Sequence, residues 1–207
     1  MKLMIVTGTS GSGKSSALNK LEDLGFYCVD NLPVVLVSSL VSRLSDSIKL
    51  SHQGIAICID IRTEDEGTGD FRDYLKELSK TIDVTVMFFD ANEQTLNQRF
   101  NETRRRHPLS QGGRSLTDAI RLERILLEPL AAAADLFIDT SEMTPYEQRQ
   151  FIQERVTASQ ASRMSILVKS FGFKKGAPVD ADIMFDMRML PNPHWDPSLR
   201  PRTGQDK

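Results

Sequence analysis

The stretch Gly8-Thr9-Ser10-Gly11-Ser12-Gly13-Lys14-Ser15 fits the pattern G-x-x-x-x-G-K-[ST], and it follows directly on an apolar run, Leu3-Met4-Ile5-Val6. An amphipathic segment over residues 15–24 comes next, with Leu18, Leu21 and Leu24 on one face and Gly25 as its stop. Strand, glycine-rich loop and helix in that order turn the pattern into an anion cradle. The glycines let the main chain approach phosphate oxygens. Successive N–H groups turn inward, and the helix adds its positive end and its unpaired first-turn N–H groups. Lys14 supplies a point charge for the β and γ phosphates, and Ser15 a hydroxyl for Mg²⁺. A lysine at a helix N-terminus opposes the helix dipole unless an anion offsets it, which argues against an idle glycine turn.

Beyond the loop, short apolar runs alternate with amphipathic ones. Strands are predicted over residues 3–6, 26–29, 55–61, 84–89 and 136–138. Helices are predicted over 33–44 with Asn31 as cap, over 70–80, from the cap Asn92 to about Arg104, from Ser115 towards Ala133 with a kink at Pro129, and from Thr144 to about Gln160. Thr144-Pro145-Tyr146-Glu147 combines cap, first-position proline and capping-box glutamate. Alternation of this kind predicts an α/β fold: a five-stranded parallel sheet covered on both faces, a P-loop NTPase domain of nucleotide-kinase type over residues 1–163. After about Arg163 the pattern changes. Residues 166–173 and 183–187 look strand-like, and a polar, proline-broken tail follows, so 164–207 is expected to be the incomplete start of a second α/β domain.

With 207 residues and a net charge of −2, no global field points to nucleic acid or membrane. The two cysteines, Cys28 and Cys58, lie in predicted strands without a metal-ligand spacing. Reduced thiols, no signal-peptide pattern and no apolar run of spanning length together predict a cytoplasmic, membrane-free protein.

A magnesium-supporting carboxylate belongs at the end of a strand beside the first. Asp60, Asp90 and Asp139 end strands. The nucleotide-kinase strand order favours Asp60 or Asp90 over Asp139; Asp60 is preferred, and Asp90 is the alternative. Arg99, Arg104, Arg105, Arg106, His107 and Arg114 gather around one loop with a Gly112-Gly113 hinge, where nucleotide kinases carry a lid. Arginines there would neutralise transferring phosphate. The catalytic candidates are therefore Lys14, Asp60, Arg104 and Arg105.

Several segments together are similar to the RapZ/YvcJ family of bacterial nucleotide-binding proteins. They are residues 8–15, Gly25-Phe26-Tyr27-Cys28-Val29-Asp30-Asn31-Leu32-Pro33, Thr103-Arg104-Arg105 with His107-Pro108-Leu109, Asp139-Thr140-Ser141-Glu142, Ser170-Phe171-Gly172-Phe173-Lys174 and Leu190-Pro191-Asn192-Pro193-His194-Trp195. The resemblance spans the whole chain. It implies ATP binding at residues 8–15 and a second motif, a GTP site, at Asp60-Ile61-Arg62-Thr63, where Thr63 stands in place of the family's Asn. It further implies slow ATP and GTP hydrolysis with Mg²⁺, homo-oligomers, and a role as an RNase adapter that presents a small regulatory RNA in the post-transcriptional control of amino-sugar synthesis. Family members continue beyond the position of Lys207 into a part linked to RNA binding, so this chain is expected to bind nucleotide well and RNA poorly. A small-molecule or nucleotide kinase passing on a γ-phosphate is the alternative, with Asp30 as candidate base.

Overall fold

The computed structural model describes residues 2–48, 52–60, 71–110, 113–158, 168–178 and 181–202. Two compact units divide the chain, Met1–Ser170 and Phe171–Lys207.

The first unit is built on five strands: β1 (Lys2–Gly8), β2 (Phe26–Val29), β3 (Gly54–Cys58), β4 (Asp83–Asp90) and β5 (Leu136–Asp139). All pair in parallel, in the order β2-β3-β1-β4-β5. The near-continuous apolar strands are what a sheet covered on both faces requires. Along β1, Met4 and Val6 face one core with Ala17, Leu18 and Leu21 of α1 (Lys14–Asp23) and Ile152 and Val156 of α6 (Pro145–Ala158). Leu3 and Ile5 face the other, with Val37 and Val41 of α2 (Val34–Ile48), Leu75 and Leu78 of α3 (Phe71–Ser79), and Leu130 of α5 (Leu116–Ala131). The period-2 alternation of the strand thus splits a single apolar run between two cores. α4 (Glu93–Thr103) packs Leu96 with Ile120 of α5 in a smaller cluster.

Three of the predicted caps form. Asn92 accepts from Thr95 N–H at 2.7 Å and Ser115 from Asp118 N–H at 3.1 Å. Thr144 and Glu147 bond reciprocally, the Thr144 N–H donating to the carboxylate at 2.8 Å and the Glu147 N–H to the hydroxyl at 3.2 Å. Thr144→Ala is therefore expected to cost about 1 kcal/mol of stability by denaturant titration; an unchanged midpoint would remove that role. Asn31 does not cap α2. It takes a left-handed turn conformation, φ 53°, before Pro33. α5 runs through Pro129 to Ala131.

The described residues from 168 onward depart from the expected strands. Residues 168–172 are irregular, and three short 3-10 turns follow, at Phe173–Lys175, Met187–Met189 and Pro193–Trp195, with no strand among the described residues. The strand-like stretches at 168–173 and 183–187 therefore do not pair; residues 166–167 lie outside the described ones. Strand propensity records a fit to a pleated, half-buried surface, and without a ladder partner it builds nothing. Ile183 and Phe185 are accordingly 75% and 77% exposed.

Both cysteines are free thiols. Cys58 is buried, and Cys28 on the outer strand β2 is half-buried.

Candidate functional site

In the strand order, the connections from β1 and from β3 run in opposite directions, and the crevice at their carboxyl ends is where such a sheet takes ligands. β1 ends there at Gly8. The loop from Gly8 to Gly13 closes because Gly8, Gly11 and Gly13 adopt φ of 135°, 86° and 100°. Gly13 occupies the N-cap of α1 and offers no side chain to its first-turn N–H groups. Those N–H groups have no intrahelical partner, and they stand at the positive end of the helix. Lys14 is only 8% exposed. Its ammonium donates to the carbonyls of Gly8 at 2.6 Å and Thr9 at 2.9 Å, folding back over the loop.

The loop is braced from β4, α4, α5, α6 and the end of β5. Thr9 donates its hydroxyl to Asp90 at the end of β4, 2.8 Å away, and Asp90 is paired with Arg124 of α5. Ser10 gives both its N–H (2.8 Å) and its hydroxyl (2.6 Å) to the carboxylate of Glu123, also on α5. Arg99 of α4 donates to the Gly11 carbonyl at 3.1 Å and to the Thr140 carbonyl at 2.7 Å. Thr140, just past β5, donates its hydroxyl to the Ser12 carbonyl at 2.9 Å, and Gln148 of α6 donates to the Gly13 carbonyl at 2.9 Å. Burial holds the Arg99 pKa below its usual value, against the opposing pull of Asp139 and Glu102. A cradle held on this many sides keeps its amides aimed before an anion arrives.

Glu123 joins the loop to the arginine segment. Its carboxylate is 2% exposed and accepts from Nε2 of His107 at 3.1 Å. The Leu109 N–H donates to Nδ1 of the same ring at 3.1 Å, which leaves Nε2 as the donor to the carboxylate. Burial pushes the Glu123 carboxyl up, but hydrogen bonds from His107 and Ser10, with the charge of Lys14, outweigh it and hold the carboxyl below its usual 4.5. A folded-state pKa below the unfolded one gives stability that is complete above the unfolded pKa and is lost as pH falls through the folded one. Glu123→Gln should therefore flatten part of the fall in Tm below pH 4.5; parallel curves for the two proteins would show that Glu123 does not carry it.

An open cavity of about 1390 Å³ spreads from the loop. Ser10, Gly11, Gly13, Lys14 and Ser15 line it, while Gly8, Thr9 and Ser12 build the loop behind. Arg105, Arg106 and Arg114 line it, as do Asp30 and Asp60. Arg104 instead ends α4 as its left-handed C-cap, exposed and outside that lining. Ile61, Arg62 and Thr63 lie outside the described residues. Asp90 is engaged by Thr9 and Arg124, whereas Asp60 faces the cavity. Cys58 lines it too, but burial, with Asp30 and Asp60 acting against Lys14, pushes its thiol up to about 12 and keeps it protonated.

The hydroxyl of Ser15 and the carboxylates of Asp60 and Asp30 are hard oxygen donors on one cavity, which suits Mg²⁺. Among the described residues no group of three His, Cys, Asp or Glu side chains could hold a metal alone.

Sequence reasoning missed Glu123, Thr140 and Gln148, and took Arg99 for part of a lid. His107 and Thr140 stand in motifs that carry the family resemblance; Glu123 and Gln148 are unmarked helical residues.

Comparison with known proteins agrees with this architecture. A shikimate kinase from Bacteroides thetaiotaomicron aligns over 76% of this chain and 97% of its own, at 14% identity and a TM-score of 0.50. The YorR protein from Bacillus subtilis, solved with phosphorylated GDP, aligns over 78% and 99%, at 13% identity and a TM-score of 0.53. These likenesses establish a P-loop kinase-like fold. The family model described as the RapZ-like N-terminal domain matches residues 1–160, and that of the RapZ C-terminal domain matches residues 164–207. RNase adapter protein RapZ from Erwinia tasmaniensis is 48% identical over all 207 residues, which span 72% of that protein. Its counterpart from Yersinia enterocolitica is 49% identical over the same share. On this evidence the chain belongs to the RapZ family.

Proposed function

We propose that the chain is the nucleotide-binding part of an RNase adapter: it takes ATP or GTP with Mg²⁺ at residues 8–15, hydrolyses it slowly, and uses occupancy of that site to regulate an adapter for a small regulatory RNA and an RNase. The observation that carries this reading is Lys14, a buried ammonium at the positive end of α1, held by two carbonyls beside an open, arginine-lined cavity. Such an arrangement is unfavourable without an anion and favourable with one. Lys14 and the loop amides would bind the β and γ phosphates, Arg105 would stabilise charge on the γ-phosphate, and Ser15 and Asp60 would hold Mg²⁺. Bound Mg²⁺ neutralises phosphate charge. The segment 60–63 is proposed to contribute to the GTP site. Arg104, at the C-cap, would act by setting the direction of the arginine segment that follows it.

The adapter role comes from the relatives' name, and RNA and RNase partners, homo-oligomers and a cytoplasmic location follow from it as proposals. No helix among the described residues is long and apolar enough to cross a membrane. One set of titrations tests the reading: calorimetry with Mg·ATP, with Mg·GTP, and with a small RNA in the presence and absence of each. Saturable binding of either nucleotide supports it; absence of both rejects it. The kinase alternative draws on Asp30, a carboxylate on the same cavity as Lys14. It requires the label of γ-labelled ATP to appear on an added hydroxyl compound, whereas the adapter reading expects only released phosphate.

A further inference from the structure

We propose that Glu123 is a positioning residue that couples the arginine segment to the phosphate loop, so that discrimination between a nucleoside triphosphate and its diphosphate depends on a pair of side chains that touch neither. This rests on the reading of residues 8–15 as a nucleotide site and deepens it.

The connection has two arms. On one, the Ser10 N–H and hydroxyl donate to the Glu123 carboxylate at 2.8 and 2.6 Å, which fixes the outer turn of the loop. On the other, His107 donates from Nε2 to the same carboxylate at 3.1 Å. His107 is the hub of its own turn. Its Nδ1 accepts from Leu109 N–H at 3.1 Å, and its carbonyl accepts from the Ser110 N–H at 3.0 Å and the Ser110 hydroxyl at 2.7 Å. The ring also packs against Phe100 of α4, centroids 5.2 Å apart. Arg105 and Arg106 immediately precede this hub and line the cavity together with Lys14.

The chemistry explains why the pair is buried. An exposed arginine on an irregular segment loses rotamer freedom when it meets a phosphate, and that cost reduces the affinity gained. Anchoring the adjacent residue to the wall of the loop reduces it beforehand. A buried, hydrogen-bonded carboxylate holds its geometry firmly, because releasing either partner leaves an unsatisfied polar group. A bound diphosphate would be held by loop amides and Lys14, and the γ-phosphate would draw on the arginines. Cutting the His107 arm should therefore weaken triphosphate binding selectively, whereas loss of Glu123 also releases Ser10 of the loop.

The test measures dissociation constants for Mg·ATP and Mg·ADP by calorimetry in the wild type, E123A, E123Q, H107A and the H107A/E123A pair, with melting curves to establish folding. The wild type should prefer ATP by about tenfold or more, the size of a charge-assisted contact. E123A and H107A should each lose most of that preference; in H107A, which leaves the Ser10 contacts in place, the loss should come through ATP, with ADP affinity changed by less than about threefold. The double variant should lose no more than either single one, since both cut the same connection. E123Q can still accept from the Ser10 N–H and His107 while its amide donates to the Ser10 hydroxyl, so it should restore most of the preference missing in E123A. If E123A fails to fold, H107A and E123Q carry the test. A wild type with no preference, ADP weakened as much as ATP in H107A, or additive losses of the preference in the double variant would each overturn the proposal. A wild type that binds neither nucleotide would instead overturn the underlying reading of the loop.

Discussion

Lys14→Ala is expected to lower Mg·ATP affinity at least a hundredfold while leaving a folded protein. The ammonium would make charge-assisted hydrogen bonds to two phosphate groups, each worth roughly 1.5–3 kcal/mol, and a loss of about 3 kcal/mol is more than a hundredfold in Kd. Stability should change far less. Lys14 donates to the carbonyls of Gly8 and Thr9 and itself lines an open cavity, from which water can enter the space it leaves. Its removal also relieves an unfavourable charge at the positive end of α1. Calorimetry gives the first quantity and a denaturant titration the second. An affinity within threefold of the wild type would mean that phosphate binds elsewhere.

Gly8→Ala should have the opposite profile, destroying the fold before any ligand is considered. A Cβ at Gly8 would lie 1.9 Å from the carbonyl oxygen of Phe89 and 2.6 Å from its nitrogen, on a backbone with φ of 135°. Both obstacles are main chain of the adjacent strand in the parallel β1–β4 ladder, so neither can swing aside. A cost above about 4 kcal/mol is expected, enough to unfold a typical domain of marginal stability. Gly13→Ala is the internal comparison. Its Cβ would meet the amide of Gln148 at 2.6–3.0 Å, a side chain that can move, so the remaining penalty is mainly the left-handed backbone, about 1–3 kcal/mol. Similar melting curves for the two variants would contradict this ranking.

Much of the first unit was legible in the sequence because its signals are local. A capping box, a proline at a first helical turn, or an apolar run bounded by turn residues acts over a few positions, and α6, α5 and the five strands formed where those signals lie. The phosphate loop is equally local, since cradle and lysine are contiguous. The second unit failed the same approach for the complementary reason. The residues at 183–187 carry strand composition, but a strand exists only by virtue of a neighbour, and composition cannot name one.

What the sequence by itself determined, then, was the parallel α/β class, the cradle at residues 8–15 and its charge. Each follows from the conformational preferences of adjacent residues. Only the tertiary structure decided which distant groups hold the cradle in shape. Glu123 meets Ser10 across 113 positions, Thr140 meets Ser12 across 128, and Gln148 meets Gly13 across 135. It also placed Asp60 in the lining of the cavity and Asp90 against Thr9 and Arg124. Hydrogen bonds formed by closing long loops leave no periodicity in the chain. Their geometry is set by how the sheet stacks its helices, and it exists only once the core has packed.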